Sequence, residues 1–192
     1  MVNARQQILT EDRFVVLTFD DGPTRLLEPI LDILLSEQIP AMFFWQTRLL
    51  HYKRPWRRVI EEGHVIGTHT ITHPNLQKLS LLEQRRELMR SKELIETYTG
   101  QTVRYFRPPF GQYNDQTLDI ADELGLKTIM WDVASFDWIL KAEPERIIQH
   151  VIEQIEDGSI ILLHELKQTL IVLPMLIKQL KDKGYEFKIL PT

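Results

Sequence analysis

Short, almost wholly apolar runs recur along the chain, at about Phe14–Phe19, Ala41–Trp45, His64–Thr68, Val103–Arg107, Lys127–Val133, Ser159–His164 and Glu186–Leu190. They are rich in Val, Ile, Phe and Leu and scarcely alternate with polar residues, which is the pattern of strands covered on both faces. Between them the period changes to that of helices. Leu26, Leu27, Ile30, Leu31, Leu34 and Leu35 form one apolar stripe. Ser80-Leu81-Leu82-Glu83 is a capping box that opens a helix running to Gly100. Pro144 suits a first helical turn, with Ile147, Ile148, Val151, Ile152 and Ile155 inward and Gly158 ending the helix. A last stripe of Leu170, Leu173, Leu176, Ile177 and Leu180 stops near Gly184. Strands alternating with helices imply an α/β fold on a parallel sheet, closed or nearly closed. Seven strand candidates suggest a barrel short of the full eight. No repeat, low-complexity tract or linker interrupts the pattern, so residues 1–192 read as a single domain with its core at about 14–190.

Polar clusters sit where several of these runs stop: Thr18-Phe19-Asp20-Asp21-Gly22, His69-Thr70-Ile71-Thr72-His73, Arg107-Pro108-Pro109-Phe110-Gly111, Asp132 to Trp138, and Leu162-Leu163-His164. In a barrel of alternating strands and helices all strand C-termini open onto one face, so residues as distant in sequence as Asp20 and His164 can share one pocket.

His69 and His73 stand four apart, a spacing that puts two imidazoles on one side of a turn. Thr70 occupies the place of the glutamate in the His-Glu-x-x-His zinc motif, so that protease mechanism lacks its base. Thr70 and Thr72 are poor helix formers and Pro74 biases His73 away from α geometry, which predicts a tight turn. Asp21 at another strand end completes a set of two histidines and one carboxylate with open positions. That set suits catalytic Zn²⁺, and also Fe²⁺, Co²⁺ or Ni²⁺. The remaining histidines read as bystanders: His51 as surface, His150 on the polar side of its helix, and His64 as an internal hydrogen-bonding group at a strand start.

Asp20 and Asp21 leave one strand together and point different ways, so one can hold metal while the other meets water. The loop from Pro108 to Gly111 is stiffened by two prolines and admits close backbone approach at Gly111. Such a rigid loop suits presenting a backbone N–H to a developing oxyanion, and since the prolines have none, Phe110 is the first candidate donor after Arg107. His164 is delivered by a buried run; a nearby carboxylate, for which Asp137 is a candidate, would raise its pKa and make it a general acid usable at neutral pH. Trp138 and Leu162 offer an apolar wall for a small acyl methyl.

Whole-chain properties narrow the partners. The chain is 43% apolar and 26% charged with a net charge of −4, a soluble globular composition. That charge gives no reason to expect nucleic acid as a partner, and no obligate protein partner is evident. No stretch reaches the ~20 apolar residues of a membrane span. Cysteine is absent, which leaves histidine and carboxylate as the strong metal ligands. Met1–Gln7 lacks the apolar run of a secretory leader. As written the chain is expected in the cytoplasm, or outside the cell or in its wall if a leader has been trimmed.

In motif order the chain resembles the polysaccharide deacetylases of carbohydrate esterase family 4, the NodB homology domain, from about Val15 to Ile189. The resemblance implies a distorted (β/α) barrel and removal of acetyl groups from N-acetylated sugars of a polymer such as peptidoglycan or chitin. It implies Asp20 as catalytic base, with Asp21, His69 and His73 as metal ligands and Arg107 positioning the base. It further implies Asp137 tuning the acid, His164 as that acid, and Trp138 and Leu162 lining the pocket. Departures fall on substrate binding. The glycine the family often carries near position 46 is replaced by Trp45-Gln46, a basic segment runs from Arg48 to Arg58, and the loop after Pro23 is short. O-acetyl xylan or a small amide or formamide is the alternative substrate, and an inactive carbohydrate-binding homologue the alternative class.

Overall fold

A computed structural model describes residues 13–191, so the Met1–Gln7 reading lies outside the described residues. The longest strand, β1 (Phe14–Gly22), shows how the sheet is built. Its odd positions Val15, Leu17 and Phe19 pack among helix residues such as Leu27, Ile30 and Leu31. Its even positions Phe14 and Val16 pack against Met42, Phe44 and Ile160, which come from neighbouring strands. Side chains of a strand alternate in direction, so both faces are buried and each apolar residue has a core to enter. Thr18 and Asp20 continue the even series and point into the interior of the curl, above the apolar plug.

Around β1 stand α1 (Leu27–Glu37), β2 (Met42–Trp45), α2 (Trp56–Glu61), β3 (Val65–Thr68), α3 (Leu81–Thr99) and β4 (Tyr105–Phe106). The second half supplies α4 (Asp115–Glu123), β5 (Lys127–Thr128), β6 (Val133–Ala134), α5 (Glu145–Gln154), β7 (Ser159–His164), α6 (Lys167–Asp182) and β8 (Glu186–Phe187). The strands run in the order β5-β4-β3-β2-β1-β7-β6, with β8 attached to β1, and every pairing is parallel. The sheet is therefore a curled barrel left open between β5 and β6.

The sequence pattern and the fold differ at several places. The run Lys127–Val133 is not one strand. It splits into β5 and the start of β6, which lie on opposite edges of the sheet. The segment between them turns because its groups have other partners: Ile129 enters the inner core and the Met130 carbonyl accepts from Arg107. The capping box at Ser80 and Glu83 is present, and Gly100 closes α3 at φ 67°. Helix α5 ends at Gln154, short of Gly158, although Ile152 and Ile155 still pack on the core. Helices α2 and α4 carried no clear apolar stripe. The second is opened by an Asn114 cap bonded to the Thr117 N–H.

Candidate active site

Register places the polar ends side by side. Asp20 is the Cα partner of His164 on β7 and of Phe44 on β2, and Thr18 is the partner of Leu162. Between Asp20 and Gly22 the β1–β2 register shifts by one residue, and Asp21 takes up the extra position at φ 67°. A bulge of this kind re-aims a side chain. Here it turns two successive carboxylates, which would otherwise face opposite sides, toward one cleft.

The histidine pair lies on the turn after β3. Thr70 and His73 both take left-handed backbone angles (φ 69° and 61°), and the His73 N–H donates to Thr70 Oγ1 at 3.1 Å. The expected tight turn is thus present, and the rings meet at 4.8 Å. His69 donates from Nδ1 to the Arg107 carbonyl at 2.7 Å, because a carbonyl can only accept. Its Nε2 lone pair is left free. Asp21 Oδ1 lies 3.7 Å from His69 Nε2 and 3.4 Å from His73 Nε2. Asp21, His69 and His73 each offer a ligand atom within 4.8 Å of the others. The site fits a divalent ion on chemical grounds. Burial pushes the Asp21 carboxyl up, but His69, His164, His73 and the Gln46 amide outweigh it and hold it below the usual range. Burial and His69 hold His73 below its ordinary pKa. A carboxylate and neutral imidazoles are the forms that ligate.

Asp20 is buried, accepts from Arg107 Nη1 at 2.8 Å, and sits 3.8 Å from His69 Nε2. Arg107 is fully buried. It reaches Thr18 Oγ1 at 2.7 Å, the Ile129 carbonyl at 3.3 Å and the Met130 carbonyl at 3.0 Å, and its guanidinium lies over the Phe44 ring. With so many partners, Arg107 fixes one oxygen of Asp20 and leaves the other turned to the cleft.

On the other wall, His164 Nε2 stands 3.9 Å from Asp21 Oδ2. Its Nδ1 meets Asp137 Oδ1 at 2.7 Å, and its backbone N–H donates to Asp137 Oδ2 at 2.7 Å. Asp137 is fully buried and also accepts from Thr169 Oγ1 at 2.6 Å. Burial works against a charged His164. Asp137, with Asp20 and Asp21 behind it, outweighs burial and holds the imidazole above its ordinary pKa.

Asp20, Asp21, His69, His73 and His164 line a cavity of about 420 Å³ together with Pro108, Phe110, Trp131, Trp138 and Leu162, while Arg107 and Asp137 stand behind it. Within the Pro108–Gly111 loop, Gly111 and Gln112 give their N–H groups to the carbonyls of Pro108 and Pro109. The Phe110 N–H is left as that loop's candidate donor, at a backbone φ of 59°. Gly111 itself does not line the cavity. Its φ of 65° and the Trp131 ring, 2.8 Å from where a Cβ would stand, require glycine there.

Trp131 and Glu165 escaped the sequence reading of the site, and Gln46, read there as a departure falling on substrate binding, instead donates to the Asp21 carboxylate at 2.6 Å. Trp131 was hidden inside a presumed strand. Glu165 follows His164 yet is buried, with burial raising its pKa to about 7. It accepts from the Thr24 N–H at 2.5 Å and fills the space a Cβ on Gly22 would need. The bystander histidines lie apart from the cleft. His64 accepts from the Ala41 N–H at 3.1 Å, and His150 meets the Phe136 ring edge-on and is half-buried, not on a fully polar face.

The family model described as polysaccharide deacetylase matches residues 8–129. The chain belongs to the polysaccharide deacetylase family. As a member, it is 34% identical over 185 residues to a peptidoglycan-N-acetylglucosamine deacetylase of Bacillus cereus, covering 93% of this chain and 67% of that one. It is 33% identical over 199 residues to a chitooligosaccharide deacetylase of a Bradyrhizobium species, covering 93% and 90%. It also superposes, with a TM-score of 0.84 and 34% identity over 92% of this chain and 63% of the other, on a family 4 carbohydrate esterase pseudoenzyme of Bacillus anthracis. The chain spans from 37% to 90% of the length of these and other curated relatives. Among the described residues no helix is long and apolar enough to cross a membrane.

Proposed function

We propose that this family member is a metal-dependent hydrolase that removes acetyl groups from N-acetylated sugars of a peptidoglycan- or chitin-like polysaccharide. One observation carries the reading. A metal-ligand trio is flanked by a carboxylate locked to a buried arginine and by a histidine locked to a buried aspartate. Asp21, His69 and His73 would hold one divalent ion, Zn²⁺ foremost. When bound, the ion supplies Lewis acidity for water and for an acyl carbonyl. Asp20 takes the proton of the attacking water as that water's oxygen bonds the carbonyl carbon. The Phe110 N–H donates to the oxygen that gains charge. His164 gives its proton to the amide nitrogen as the C–N bond breaks, and acetate and a free amino sugar leave. Pro108, Trp138 and Leu162 enclose the methyl.

The pseudoenzyme likeness favours a second reading, a carbohydrate-binding homologue without turnover. Against it, Asp20, Asp21, His69, His73 and His164 are all present in this chain. Metal content should be measured together with acetate release from acetylated peptidoglycan and chitooligosaccharides. Equal yields of acetate and free amine, abolished by a chelator and restored by Zn²⁺ or Co²⁺, are expected. A metal-loaded protein that binds these glycans and releases no acetate overturns the enzyme reading.

A further inference from the structure

Gln46 directly follows the last residue of β2, and it is buried at 5% exposure. Its backbone N–H donates to the Gly22 carbonyl at 2.8 Å, so the residue is stitched to the Asp21 bulge. Its side-chain Nε2 donates to Asp21 Oδ1 at 2.6 Å. That oxygen is the one turned toward the Nε2 atoms of His69 and His73. At the other end of the amide, Gln46 Oε1 accepts from Arg48 Nε at 2.9 Å. A carboxylate only accepts and a guanidinium only donates, so an amide between them has one permitted orientation. Reversing it would set oxygen against oxygen and N–H against N–H. The two residues after Gln46 are tied to the histidine turn as well, through Thr47 N–H to the Thr70 carbonyl at 3.1 Å and Arg48 N–H to the Ile71 carbonyl at 3.2 Å.

We propose that Gln46 is a positioning residue for the Asp21 carboxylate, and that Arg48 locks Gln46 in the single amide orientation that can do this. The inference rests on Asp21, His69 and His73 as the metal site. In the metal-free protein the Gln46 amide holds Asp21 Oδ1 at the histidine pair, so little side-chain freedom remains to be lost when an ion arrives. It also draws charge from the ligand oxygen, leaving a bound ion more Lewis-acidic. Partners that orient ligands from behind in this way influence metal affinity strongly.

The test is metal affinity of the full chain, read by competition with a chelator for Zn²⁺ and by the visible spectrum of the Co²⁺ form. Gln46→Met keeps the length of the side chain and removes both hydrogen bonds. Arg48→Met, at an exposed position, removes only the lock. Gln46→Met should weaken Zn²⁺ binding about 10- to 100-fold and alter the Co²⁺ spectrum. Arg48→Met should weaken binding less, and should add nothing in the Gln46→Met background. Thermal unfolding of the metal-free variants checks that they fold, and Gln46→Asn serves as a second variant that restores a donor too short to reach. Wild type that binds metal beside a Gln46→Met protein of equal affinity overturns this proposal alone, as do losses that simply add in the double variant. Wild type that takes up no metal overturns the metal-site reading along with it.

Discussion

Glu165→Gln isolates one buried acid and predicts how the fold responds to pH. Glu165 is 2% exposed, and its Oε1 and the Trp45 Nε1 are both buried without a hydrogen-bond partner among the described residues. Burial drives its pKa from an ordinary 4.5 to about 7, against the opposing pull of the Thr24 N–H and Arg54. The unfolded chain therefore ionises first. The favourable contribution of the protonated carboxyl is complete below pH 4.5 and is lost progressively as pH rises to about 7. The gap corresponds to about 3 kcal/mol between the two plateaus. Glutamine keeps the shape and the acceptor for Thr24 but cannot ionise. Urea unfolding with chelator present, from about pH 5 to about pH 9, gives the difference between wild type and variant, in which other titrations cancel. The variant should gain on wild type by up to about 3 kcal/mol as pH rises. A difference that stays level with pH, or one that favours wild type at the alkaline end, would refute the reasoning.

Two further outcomes follow from the cleft. Asp137→Asn removes the charge that holds His164 above its ordinary pKa, so the alkaline limb of kcat/KM should move to lower pH and the rate near neutrality should fall on the order of 10²-fold. A reduced rate with an unmoved limb would show that Asp137 acts only on structure. In the proposed function Trp138 and Leu162 enclose the acyl methyl, so N-propionyl substrates should lose ~1–3 kcal/mol in kcat/KM relative to N-acetyl and N-butyryl more. Faster turnover of the larger acyl groups would move the reading toward small amides.

The parts of this protein that were legible in its sequence are those in which one strand decides the outcome. The unbroken apolar run of β1 announced a strand buried on both faces, and the polar residues at its end could only lie at the rim. Ser80, Glu83 and Gly100 announced both ends of α3 by local chemistry. What escaped depends on contacts between distant segments. Nothing in Lys127–Val133 shows that Met130 must turn its carbonyl to Arg107, so the run looked like a single strand. The bulge at Asp21 is one residue of register against β2, invisible in β1 alone. Glu165 reads as an ordinary polar residue and Gln46 as a change in substrate binding, because the acid's value lies in the space left by Gly22 and the amide's in Asp21.

Among the described residues, apart from Gln38 at the end of α1, the non-glycine residues with left-handed backbone angles all belong to the strand end and loops around the cleft: Asp21, Thr70, His73, Phe110 and Phe136, with φ from 56° to 69°. For side chains with a Cβ, this conformation costs about 1 kcal/mol or more at each position. The curled sheet thus holds its loops in shapes they would not choose alone. A laboratory lineage selected only for heat resistance meets this as an opportunity. Glycine or asparagine at Phe110, whose side chain is exposed, should relax the backbone, raise the melting temperature and let the Pro108–Gly111 loop drift. Such a lineage would accumulate tougher and slower proteins, and its winning substitutions would trace the outline of the cleft.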